Sequence, residues 1–136
     1  MKRFILFIII FLPVFISCGK LKGQFAFQEP LDKSYKIGQE RLEFDSSEEV
    51  KWLYKFKSFP GDRIKLGVIT LKKELGWIDV LSMPDFIDER KDTVYGTIKG
   101  LEPGDYKIVI TEIDDSESVI IDSCEFYIFS DEETLD

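Results

Sequence analysis

Histidine is absent from this 136-residue chain. That gap removes Ser-His-Asp and Cys-His nucleophile pairs together with every His-based zinc or iron site. Cysteine is scarce, only Cys18 and Cys124, so a disulfide framework is not on offer. Basic residues are outnumbered, 18 Lys and Arg against 26 Asp and Glu, which leaves a formal charge of −8 at pH 7. Phosphate backbones need clustered cations, so nucleic acid is not an expected partner. Gly-rich phosphate loops, Gly-x-Ser-x-Gly, Cys-x-x-Cys and dinucleotide fingerprints are also missing. These absences predict no enzymatic activity, no cofactor and no metal.

What is present begins with a leader. Met1-Lys2-Arg3 precedes Phe4 to Phe15, an apolar run broken only by Pro13, which is the layout of a charged n-region followed by an h-region. A bilayer-spanning helix needs roughly 20 apolar residues, and this run is shorter. It ends in Phe15-Ile16-Ser17-Cys18, which resembles the lipobox of bacterial lipoproteins and departs from it at Phe15, where Leu is typical. The resemblance implies cleavage after residue 17 and lipidation of Cys18 as the sole attached group. Two or more acyl chains hold a protein stably on a membrane. Removing 17 of the 136 residues leaves 119, and losing Lys2 and Arg3 takes the formal charge from −8 to −10. An anionic bilayer repels such a body, so lipid does the holding and the domain projects away from the headgroups. Gly19 replaces the Asp that favours inner-membrane retention in the enteric sorting rule, so the expected address is the bacterial envelope, at the outer membrane or cell surface.

From Gly23 onward short runs with period two alternate with turn residues, the signature of an all-β domain. In Glu49 to Ser58, Val50, Trp52, Tyr54 and Phe56 share one face, and Lys51, Lys55 and Lys57 the other. Phe59-Pro60-Gly61-Asp62 then predicts a turn into Arg63 to Leu71, making a hairpin with Ile64, Leu66 and Val68 inward. Further strands are predicted at Phe25 to Gln28, Glu40 to Asp45, Gly76 to Leu81, Thr93 to Lys99, Asp105 to Ile113 and Ser118 to Phe129. In the last, inward parity switches from Val119 and Ile121 to Cys124, Phe126 and Ile128, which predicts a bulge near Asp122-Ser123.

Lys99 to Thr111 resembles the strand E to strand F corner of fibronectin type III and related immunoglobulin-like modules, with Leu101, Pro103, Gly104 and Tyr106 in the matching positions. The resemblance implies that Leu101 plugs the core, Pro103-Gly104 turns the chain and Tyr106 hydrogen-bonds back across the corner. Trp52 and Trp77 compete for the inward tryptophan of such folds. The expected organisation is a signal peptide at 1–17, a lipidated tether at 18–24 reaching at most about 25 Å, one immunoglobulin-like or fibronectin type III-like antiparallel β-sandwich of about seven strands at 25–130, and an acidic tail at 131–136.

Two surfaces are candidates for binding. The loop Ser82 to Glu89 carries Met83, Phe86 and Ile87, which either cap one end of the sandwich or form a contact patch. Lys51, Lys55 and Lys57, extended by Arg63 and Lys65 across the hairpin, form a basic row that is either a solvated face or a site for an acidic partner. Asp85 to Glu89 and Asp114 to Glu117 lack the oxygen series of a calcium loop, and Asp114 to Ser116 reads as a hairpin turn. With Cys18 lipidated, Cys124 has no disulfide partner and reads as a small buried hydrophobe. The expected function is non-enzymatic: a lipid-anchored envelope protein presenting its module to a protein partner through end loops or a strand edge. Alternatives are a periplasmic assembly accessory and a carrier of a small ligand or lipid.

Overall fold

In Val50–Phe56 buried residues alternate with more exposed ones along the whole strand, as the period-two pattern requires. The computed structural model of the protein describes residues 21–28, 35–37, 42–57, 61–115 and 117–130. The leader, Cys18 and the acidic tail lie outside them. Among the described residues the chain forms nine strands: β1 (Gly23–Gln28), β2 (Tyr35–Ile37), β3 (Leu42–Asp45), β4 (Val50–Phe56), β5 (Ile64–Lys73), β6 (Trp77–Ile87), β7 (Thr93–Ile98), β8 (Gly104–Asp114) and β9 (Glu117–Phe129). They build a β-sandwich of a four-stranded sheet, β2-β1-β4-β7, and a five-stranded sheet, β3-β9-β8-β5-β6. Every strand pair is antiparallel except β3 with β9, which run parallel.

Three expectations are corrected, and a fourth is met to within a residue. β4 and β5 are not a hairpin: β4 pairs with β1 and β7, while β5 pairs with β6 and β8 in the other sheet. Apolar alternation identifies the buried face of each strand but is equally satisfied when the chain crosses between sheets. The predicted loop at Ser82 to Glu89 is largely strand, because β6 continues to Ile87. Its Ser and Pro read as turn chemistry, yet an edge strand tolerates Pro, having one side without ladder bonds. The domain also starts earlier than Phe25. Leu21 is buried in the core and the Lys57 amide donates to the Lys22 carbonyl, so residues 21–24 belong to the sandwich and not to the tether. Lastly, the β8–β9 register shifts so that Ile110 faces Asp122 and Thr111 faces Ile120, which makes Ile121 the bulged residue, just before the predicted position.

Trp52, not Trp77, is the inward tryptophan, 3% exposed. Gly96 sits opposite it across β4 and β7, so close that an added Cβ would lie 2.3 Å from the indole. Phe25 and Tyr54 meet edge-on at 4.7 Å between centroids, and Tyr106 stacks on Phe126 at 5.5 Å. Leu66, Val68, Ile108, Ile110 and Ile128 fill the opposing layer. The corner before β8 has the expected form. Leu101 packs against the core, Gly104 takes φ 152°, and the Tyr106 hydroxyl donates to the Glu102 carbonyl at 2.6 Å.

Candidate functional site

The three apolar residues picked from the sequence separate on one strand. Ile87 faces Ile64 across β5–β6 and is fully buried, so it is core and offers no contact surface. Phe86 points to the opposite face, where the Arg63 guanidinium lies 3.9 Å and the Lys91 ammonium 4.6 Å from its ring centroid. Asp85 pairs with Lys91, and Asp88 accepts hydrogen bonds from the amides of Arg90 and Lys91 to turn the chain toward β7. This end of the sandwich is therefore capped by its own side chains. Met83 remains exposed.

Lys51 and Lys55 are exposed on the outer face of β4, and Lys57 is exposed just beyond its end. Arg63 and Lys65 do not extend the row, since they belong to the other sheet's side of the molecule. Four residues along a strand separate Lys51 from Lys55 by about 13 Å, beyond a Debye length at physiological salt, so the row generates little concentrated field.

A different surface emerges along β6. Among the described residues this strand is the edge of the five-stranded sheet and has β5 as its one ladder neighbour. Leu81 and Met83 lie opposite Thr70 and Val68, on the face of β6 that also carries buried Ile87. They are nevertheless 47% and 37% exposed. The four-stranded sheet ends at β7, and the core stops short of this half of β6. Ile78 and Val80 are exposed on the same strand, with Val80 at the register shift opposite Thr70 and Leu71. Sequence reading placed Gly76 to Leu81 in a half-buried strand and missed this strip. The available signal was the near-continuous run Trp77-Ile-Asp-Val-Leu, but period two alone does not say which strand ends up at an edge.

Between β1 and β9 an opening of about 320 Å³ is lined by residues that include Phe25, Lys57, Asp122 and Cys124. The Tyr54 hydroxyl donates to Asp122 Oδ2 at 3.1 Å, tying the two sheets together here. Burial, reinforced by the Asp122 charge, raises the Tyr54 pKa above its ordinary value. Burial likewise pushes the Cys124 thiol up to about 11, with Asp122 and Glu125 adding to the effect. A thiol held protonated at neutral pH is a poor nucleophile.

No family model and no curated protein matches this sequence. Among solved structures the chain is similar to the soluble domain of PmoD from Methylocystis sp. ATCC 49242 (Rockwell). The TM-score is 0.55 at 12% identity, over 77% of this chain and 89% of that one. At that identity the likeness shows a shared β-sandwich fold. Within that fold, no group of three or more metal-ligating side chains comes together among the described residues.

Proposed function

We propose that this chain is a non-catalytic, lipid-anchored protein of a bacterial envelope that presents its β-sandwich to a protein partner through the β6 edge. The observation that carries the reading is the strip Ile78, Val80, Leu81 and Met83, exposed on a strand that has one ladder neighbour. A partner strand added there would gain main-chain hydrogen bonds and bury apolar side chains in one step. Contiguous exposed apolar surface of this kind marks interaction sites in folded proteins. Anchoring is supported by the leader ending in Ser17-Cys18. With Leu21 already in the core, only residues 18–20 separate the lipid from the sandwich, a reach of at most about 11 Å. The partner surface therefore works close to the bilayer.

The test is photo-crosslinking in intact cells, with a benzophenone amino acid placed at position 81 or 83 of the full-length protein and at Lys51 as control. Discrete adducts from positions 81 and 83, absent at the control, are expected. Equal labelling at all three positions, or none, overturns the β6 assignment. Protease shaving of the same cells separates display on the surface from the periplasmic assembly role, in which the domain is protected. Intact mass from the native membrane checks the anchor, which fails if the chain is unacylated.

A further inference from the structure

The outer face of the five-stranded sheet carries a second feature, remote from the Leu81–Met83 face. Near the β5–β6 turn a cleft of about 580 Å³ is lined by Lys73, Trp77, Asp105, Glu125 and Tyr127. Register explains the assembly. Lys73 faces Trp77 across β5–β6, Asp105 faces Tyr127 across β8–β9, and Lys107 faces Glu125 beside them. Tyr106 and Phe126 also border the cleft from between them, while their side chains are buried in the core, and the alternation along β8 and β9 turns Asp105, Glu125 and Tyr127 to the other side of the sheet. Trp77 on β6 and Tyr127 on β9 are three strand spacings apart, about 14 Å. The Lys107 ammonium lies 4.3 Å from the Trp77 centroid and holds the indole in place.

The chemistry of the lining narrows the ligand. The lining sets Lys73 against Asp105 and Glu125, and Lys107, outside the lining but opposite Glu125 and over the Trp77 ring, offsets the second carboxylate, so an ion of either sign meets like charge. Trp77 and Tyr127 stand on strands three spacings apart, a span that suits two separate stacking platforms better than an aromatic cage around one ammonium group. Apart from Trp77 on the β6 edge, the backbone groups here belong to the interior strands β5, β8 and β9, whose ladder bonds are already made on both sides. A hydroxyl both donates and accepts, so alternating amines and carboxylates satisfy it on either side. The volume falls in the range of small-molecule sites.

We propose that this cleft binds a neutral oligosaccharide. Trp77 and Tyr127 stack on the C–H faces of two pyranose units, and Lys73, Asp105 and Glu125 hydrogen-bond to hydroxyls between them. The site depends on the fold alone and is independent of the β6 reading, so each can fail without the other. The experiment uses the full-length protein in a detergent without a sugar headgroup, titrated with cellohexaose and with chitohexaose while the indole N–H signals are followed by NMR. The chain has two tryptophans, which makes the readout specific. Saturable movement of the Trp77 signal by at least one hexaose, with buried Trp52 unmoved, is expected. Trp77→Ala, read on backbone amides of β8 and β9, and Tyr127→Ala should each weaken binding at least about tenfold, while Leu81→Asp leaves it unchanged. An unmoved Trp52 signal shows that each variant is folded. Absence of saturable movement with either sugar, or wild-type affinity in both folded cleft variants, overturns the proposal.

Discussion

At the scale of single residues, the sandwich is tied together at points where one atom matters. The Tyr106 hydroxyl satisfies the Glu102 carbonyl at the corner, and Tyr106→Phe should cost about 1 kcal/mol in urea unfolding. Gly96→Ala should cost more, about 1–3 kcal/mol, because the new methyl collides with the Trp52 indole within a closed core. The Gly was unremarkable in sequence, since the close approach comes from a ring on the neighbouring strand. Cys124 and Tyr54 set an alkaline limit. The folded thiol keeps its proton to about pH 11, whereas the unfolded thiol loses it near 9, so the unfolded chain ionises first. The thiol's contribution is complete below about pH 9 and is lost as pH rises toward 11; Tyr54, also raised, acts in the same direction. Thermal melts between pH 8 and 11 should therefore fall more steeply for the wild type than for Cys124→Ala.

At the scale of elements, β6 carries both a structural and an exposed population on one strand. Ile87→Ala should cost about 2–5 kcal/mol, the ordinary cost of deleting a buried side chain. Leu81→Asp and Met83→Asp should cost about 1 kcal/mol, less than Ile87→Ala, because 47% and 37% of these side chains are already exposed. The same two substitutions should abolish crosslinked adducts, with chemical denaturation and adduct yield as the paired measurements. Most strands were legible, since alternation in stretches such as Val50–Phe56 is a direct imprint of one wet face and one dry face. β2 was not, because Tyr35–Ile37 is too short to display a period. The half of β6 after Leu81 was obscured by Ser82, Pro84 and Asp85, residues that favour turns elsewhere and are tolerated on an edge.

At the scale of the whole molecule, the proposed anchor and the sandwich should make separable contributions. On the proposed anchoring, Cys18→Ala should move the protein from the membrane to the soluble fraction while leaving its unfolding midpoint unchanged, since the first described core residue is Leu21. Fractionation and denaturant titration of the two forms check both halves of that expectation. The amino-acid sequence by itself determined the all-β class, most of the buried faces and the exclusion of histidine chemistry, while the Leu101 to Tyr106 corner was legible through its resemblance to fibronectin type III modules. These follow from residue type and short-range period, which are local quantities. The tertiary structure alone decided that β4 and β5 lie in different sheets, that β6 is an edge with Leu81 and Met83 uncovered, and that Trp77 and Tyr127 flank one cleft. Those facts depend on which strands become neighbours, and neighbours in a sandwich come from distant parts of the chain, selected by the joint packing of two sheets.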